Sequence, residues 1–179
     1  MRIIAGSFKG TKLFSPGKAA IRPTLDRVRE YIFSCIAFEV QGKSVLDLFA
    51  GTGALGLEAK SRGAKEVVFV DNSTYATELV GKNISKLKTE GIVVRKHVIS
   101  FLQTVNSKFD YIFADPPYTF DQFDKVLEII AVNEIIDHDG MIIYETGSRR
   151  SVTINPDFEI IRQKKLGDTQ IIFYQLKHD

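Results

Sequence analysis

Asp47-Leu48-Phe49-Ala50-Gly51-Thr52-Gly53-Ala54-Leu55-Gly56 follows the apolar run Ser44-Val45-Leu46 and leads into a segment of helical periodicity. That order decides the fold. An apolar strand, a loop with glycines at the G-x-G-x-x-G positions (Gly51, Gly53, Gly56) and a helix make the opening unit of an open α/β sheet, whose ligands sit at the strands' carboxyl ends. The loop by itself also fits a plainer reading, a glycine turn chosen for close helix packing.

Outward from this unit, apolar runs alternate with amphipathic segments, the mark of parallel strands joined by helices. Strands are expected at Ser44–Leu48, Glu66–Val70, Ile92–His97, Tyr111–Ala114 and Gly140–Glu145. Helices are expected at Ala54–Arg62, Thr74–Leu87 and Ser100–Val105, with a further one capped by Asp121. The inner stripe of Thr74–Leu87 reads Ala76, Leu79, Val80, Asn83, Ile84 and Leu87. Two strands at the end, Phe158–Arg162 and Thr169–Leu176, flank a Gly167-Asp168 hairpin turn. Before the sheet, Ile3–Gly6 and Thr11–Phe14 read as a short hairpin, and Thr24 as the N-cap of a helix reaching about Glu39. That helix's stripe of Leu25, Val28, Ile32, Cys35 and Ile36 leaves Arg27, Arg29 and Glu30 mainly on the other side and makes Cys35 a core thiol. The 179 residues thus read as one α/β domain, with residues 1–23 as an extension and 24–179 as the core.

Composition narrows the function classes. At 44% hydrophobic and 26% charged, with no apolar run near the ~20 residues of a membrane span and no signal-peptide layout at the start, the chain reads as cytoplasmic. A single cysteine leaves no internal disulfide, and His97, His138 and His178 are too scattered for a zinc cluster, so no metal is expected. The net charge of +2 conceals an asymmetry: residues 1–29 hold seven Lys or Arg against Asp26 alone, while the remainder holds 17 basic against 21 acidic residues. Such a basic end suits a polyanion, or is a solvated arm without a partner.

Two acids bear on the cofactor. Asp71, 18 residues beyond Gly53, stands where a carboxylate binds ribose hydroxyls in either a dinucleotide or an adenosyl cofactor. Asp47 discriminates, since it would repel a pyrophosphate yet attract the ammonium and sulfonium of S-adenosylmethionine.

Phe113-Ala114-Asp115-Pro116-Pro117-Tyr118 closes another apolar strand. Prolines fix φ and remove N–H donors, so the chain leaves the sheet as a stiff loop rich in acceptors, beside the flat surface of Tyr118. A strand-ending Asp-Pro turn is the plain alternative. The fuller motif suits an aromatic amine held by Asp115 and the Pro116 carbonyl, on a base taken out of its stack.

Asp47–Gly53, Asp71 and Asp115–Tyr118 resemble the class I methyltransferases that act on amino groups of bases. Met1–Gly6, Lys9-Gly10, Arg22-Pro23-Thr24-Leu25-Asp26-Arg27-Val28-Arg29-Glu30 and Gly167-Asp168-Thr169 narrow the resemblance to RsmD-type enzymes, which methylate N2 of a guanine in small-subunit (16S) ribosomal RNA. It runs nearly end to end. The resemblance implies a Rossmann-like, seven-stranded, mostly parallel sheet with helices on both faces, S-adenosylmethionine as cofactor, and a partly or fully assembled 30S subunit as partner. It implies catalytic roles for Asp115, Pro116 and Tyr118, and cofactor contacts from Asp47, Phe49, Ala50, Gly51, Thr52, Gly53, Asp71, Asn72, His97 and Val98. Where relatives tend to place Asp or Asn for the adenine, this chain has His97, which either accepts through a ring nitrogen or finishes a strand. For the RNA, Arg2, Lys9, Lys12 and Arg22 are expected on phosphates, with Pro117 beside the base. Arg27 and Arg29 either line the site's mouth or pair with acids. Two rivals stand: a DNA adenine-N6 methyltransferase, for which the chain lacks a separate target-recognition domain, and a non-catalytic RNA-binding assembly factor on the same fold.

Overall fold

Val45, Leu46, Asp47 and Leu48 are buried on both sides of their strand, so Ser44–Leu48 (β1) lies at the centre of a sheet. The computed structural model describes residues 1–15, 26–36 and 39–177, and in it seven strands form one sheet in the order β3-β2-β1-β4-β5-β7-β6. These are β2 (Glu66–Asp71), β3 (Ile92–Arg95), β4 (Phe109–Ala114), β5 (Ile136–Gly147), β6 (Phe158–Leu166) and β7 (Thr169–Leu176). The first five strands of that order run parallel, and β7 joins β5 and β6 antiparallel. Strand order reverses between β1 and β4, the switch point at which a crevice opens.

Alternation along β1 sorts two cores. Val45 faces α1 (Asp26–Cys35), α2 (Ala54–Ser61) and α3 (Thr74–Leu87), whose Val28, Ile32, Leu57 and Val80 pack with Phe69 and Phe113. Leu46 and Leu48 face α4 (Val98–Leu102) and α5 (Phe123–Val132), through Leu102, Val126, Leu127 and Ile130. Asp47 shares the first face and points toward α2. Gly56 in α2 lies so close to the sheet that a Cβ there would stand 2.3 Å from Phe69 Cε1. Among the described residues, no helix is long and apolar enough to cross a membrane.

The N-terminal arm forms a shorter hairpin than expected. Around the Arg2–Lys12 bridge, Ile3 N donates to Thr11 O at 3.0 Å, Gly10 N to Ile3 O at 2.9 Å and Leu13 N to Met1 O at 3.2 Å, while the Ile4 and Ala5 N–H groups go to the buried carboxylate of Glu58, at 2.8 and 3.0 Å. Ser61 takes the Phe8 N–H on Oγ and the Ser7 N–H on its carbonyl. Asn83, an amide within the apolar stripe of α3, accepts from Phe14 N at 2.7 Å and donates to Phe14 O at 3.1 Å and Thr52 O at 3.0 Å. Three side chains of α2 and α3 therefore hold the arm against the sheet's first face.

Further local expectations are corrected or lie outside the described residues. The expected cap Thr24 and the stripe residue Leu25 lie outside the described residues, and α1 ends at Cys35 rather than near Glu39. Cys35 is half-buried, not a core residue; Arg162 Nη1 donates to its sulfur at 3.1 Å. Asp121 caps nothing: α5 starts at Phe123, with Gln122 in the capping place and no side-chain cap. His97 does not end β3, which stops at Arg95; it precedes α4, whose start at Val98 is two residues earlier than the sequence suggests.

Candidate active site

In-register pairing of Val70, Leu48, Ala114 and Tyr144 lines up the strand ends, so the next residues, Asp71, Phe49, Asp115 and Glu145, follow in one row. The glycine loop leaving β1 and the Asp-Pro-Pro-Tyr loop leaving β4 are neighbours on that row. Phe49 takes a left-handed φ of 60°, a conformation costing a side-chain-bearing residue about 1–3 kcal/mol. Its ring stands edge-on to Phe120, centroids 4.8 Å apart, and so joins the two loops.

The glycine loop is fixed from both flanks. Gly51 and Gly53 hold φ of 57° and 75°, and Gly53 N closes the turn onto Ala50 O at 2.7 Å. Asp71 accepts from Gly51 N at 3.0 Å and Ser73 N at 2.9 Å, which orients its carboxylate while leaving each oxygen a second lone pair for a hydroxyl. Asp47 accepts from Gly56 N at 2.9 Å and so anchors the first turn of α2. Ala50, Thr52 and Val98 are buried, and Asn72 and His97 are exposed next to the end of β2, where Asp71 O accepts from Lys96 N.

The electrostatics are one-signed. Burial pushes the Asp47 carboxyl well above the usual range; the Gly56 N–H opposes this, and the charges of Asp115 and Asp71 push it further up. The charges of Asp71 and Asp115 thus raise the negative potential of the crevice beside the buried Asp47, which fits a ligand carrying an ammonium and a sulfonium and disfavours a pyrophosphate. Left-handed glycines that open the backbone, an oriented acid at the ribose position and this potential together fit the methyl donor. Among the described residues, no group of three or more His, Cys, Asp or Glu could hold a metal ion.

On the β4 loop, Asp115 is half-buried, Pro116 buried, and Pro117, Tyr118 and Thr119 exposed. Pro117 O accepts from Phe120 N at 2.8 Å, closing a turn that presents the Tyr118 ring, 52% exposed. Arg150, from the turn after β5, donates Nη1 to Phe120 O at 2.6 Å and Nη2 to Tyr118 O.

Of the residues expected on RNA, Arg2, Lys9, Lys12 and Arg27 are exposed, and Arg22 lies outside the described residues. Arg29 pairs with an acid, the second of the two alternatives expected for it, and its place among the RNA contacts is corrected. It is wholly buried, its Nη2 bonded to Arg2 O at 2.8 Å and Asp26 Oδ1 at 2.5 Å, so it braces the arm and cannot reach a phosphate. Sequence reasoning missed Glu58, Phe120 and Arg150. It placed Asn83 in the helix stripe, where a lone amide among apolar residues was the available sign of a buried polar clasp.

A family model described as "Conserved hypothetical protein 95" matches residues 1–175. Ribosomal RNA small subunit methyltransferase D of Haemophilus influenzae is 30% identical over 180 residues, covering 98% of this chain and 93% of that one. A Bacillus subtilis protein named as a candidate rRNA methyltransferase, YlbH, is 34% identical over 182 residues and 98% of each chain. A solved Escherichia coli structure, described as a candidate methyltransferase, superposes with a TM-score of 0.90 at 31% identity over 99% of this chain and 98% of that one. The chain belongs to the conserved hypothetical protein 95 family, the RsmD-type family that its motifs resemble.

Proposed function

We propose that this protein transfers a methyl group from S-adenosylmethionine to the exocyclic N2 amine of one guanine in small-subunit ribosomal RNA, presented by a partly or fully assembled 30S particle in the cytoplasm. One observation carries the reading: the Asp115-Pro116-Pro117-Tyr118 loop leaves β4 in register beside the glycine loop leaving β1. The names of the relatives support methyl transfer to ribosomal RNA.

When bound, the cofactor supplies a methyl carbon made electrophilic by the sulfonium. Asp71 would orient the ribose, and the charges of Asp71 and Asp115 would favour the two positive charges. An aromatic amine is a poor nucleophile because its lone pair is delocalised into the ring. Asp115 and the Pro116 carbonyl each accept one N–H, so the lone pair is turned toward the methyl carbon and the charge growing on nitrogen is stabilised. The amine's excess proton leaves after transfer, and no strong base is needed. Tyr118 stacks on the base, which must therefore be unstacked or in a loop.

Mapping methylated nucleotides in ribosomal RNA from strains with and without the gene tests this. The expected result is one guanine N2-methyl group that disappears with the gene and fails to return with Asp115→Ala. Unchanged ribosomal RNA, with transfer to adenines in duplex DNA, would point to the DNA enzyme. Full rescue by Asp115→Ala would point to an assembly factor without chemistry.

A further inference from the structure

Eight residues, 115–122, run between β4 and α5 without regular structure, yet they must present a base to a methyl group within tenths of an ångström. We infer that Arg150 is the positioning residue that fixes this loop, acting through the carbonyls of Tyr118 and Phe120. The inference rests on the methyltransferase reading above.

The base of Arg150 is itself immobilised. Its N–H donates to Gly147 O at 2.9 Å, and its carbonyl accepts from Gln170 Nε2 at 2.7 Å, Gln170 being buried in β7. The neighbouring Ser148 N donates to Asp168 O at 2.8 Å, which ties the same turn to the β6–β7 hairpin. From this footing the planar guanidinium sends one nitrogen to each of two carbonyls two residues apart. A fork of that shape can bridge them, whereas the single ammonium of lysine serves one at a time. The contact has two consequences. Phe120 is held with its ring on Phe49, so the loop keeps its spacing from the glycine turn. Tyr118 is held with its ring over Gly147, close enough that a Cβ at Gly147 would stand 3.4 Å from Tyr118 Cε1.

Spending the guanidinium on main-chain carbonyls separates this role from a phosphate contact. The test measures methyl transfer to undermethylated 30S particles, cofactor affinity by calorimetry and the salt dependence of RNA binding, for wild type, Arg150→Met, Arg150→Lys, Tyr118→Ala and the Arg150→Met/Tyr118→Ala pair. Arg150→Met is expected to lower kcat/KM by about 10- to 100-fold, as misplacing a reactant by about 1 Å does, with cofactor affinity unchanged within about twofold. Arg150→Lys is expected to fall between Arg150→Met and wild type, and the double variant to be little worse than Tyr118→Ala. Wild-type kcat/KM in Arg150→Met or Arg150→Lys would overturn the inference. So would fully additive losses in the double variant, or a salt slope reduced by about one unit in Arg150→Met, which would mark a phosphate contact. Failure of the wild type itself to methylate the particle would overturn the proposed function instead, and the two failures are read in different arms.

Discussion

Asn83 Nδ2 donates to the carbonyl of Thr52 at 3.0 Å, tying the middle of α3 to the cofactor loop. The same amide brackets both backbone groups of Phe14, so one buried side chain holds the glycine turn and the basic arm together.

Asn83→Leu takes the amide away from the buried Thr52 O and from the part-buried Phe14 N–H. A loss of about 2–4 kcal/mol of unfolding free energy is expected, with weaker cofactor binding alongside. Urea titration measures the first and calorimetry the second; a loss under about 0.5 kcal/mol would show that water replaces the amide without cost.

Replacing Asp115 with Asn keeps the shape of the acceptor loop but removes the charge that balances the developing ammonium. Transfer should fall by about 10²-fold or more, with cofactor affinity lowered as well, since one of the charges that attract the ammonium and sulfonium has gone. Single-turnover rates at saturating cofactor read the effect on chemistry alone.

The pH response of the free protein should carry the signature of Asp47. Its carboxyl is raised in the fold above the ordinary value of 3.8, so the folded chain holds that proton more tightly than the unfolded chain. The resulting stabilisation is complete below the unfolded value and is lost as pH rises through the raised one. Asp47→Asn should remove this dependence, making the free protein more stable toward neutral pH while reducing the melting-temperature gain from S-adenosylmethionine. Melting curves against pH, with and without cofactor, would contradict this if the variant kept the wild-type slope.

At Gly56 the limit is space. An alanine methyl would meet Phe69 Cε1 at 2.3 Å, so Gly56→Ala should cost about 1–3 kcal/mol by pushing α2 away from the sheet. Thermal melting should show the loss, and a melting point equal to the wild type's would mean that the Phe69 ring turns aside freely.

On the arm, each of Arg2, Lys9 and Lys12 changed to Gln should reduce the salt slope of RNA binding by about one unit, and Arg29→Gln should leave it unaltered while lowering stability. Filter binding across a salt series separates the two groups. A slope that survives the triple change would remove the arm from the RNA interface.

The sequence was most readable where local chemistry and burial agreed. β1, α3 and β7 have the bounds expected of them, because their runs are mostly apolar and Ser73 and Gly167 punctuate them. β6 was expected to stop at Arg162 but runs to Leu166; it is an edge strand whose charged side chains show no alternation between wet and dry faces. β5 begins earlier than expected because Asp137-His138-Asp139 resembles a turn, although Ile136 pairs with Phe109. The loops carrying Phe49 and Asp115 were found from the motif alone. Their supports were not, since Glu58 acts on Ile4 and Arg150 on Tyr118 across distances in sequence that no local pattern records. The acid pair of Arg29 was legible but its burial was not, for the same reason: only the arm lying across α1 turns that position from surface to interior.

The clasp of Glu58, Ser61 and Asn83 on residues 4–14 spans 53 to 69 positions of chain. Closing loops of that length is entropically slow, and it cannot begin before α2 and α3 exist. Residues 4–14, although made before α2 and α3, are thus among the last to settle. A newly made chain would reach a collapsed sheet with residues 4–14 still loose, and their docking would be a late event in maturation, after the methyl-donor cleft has formed.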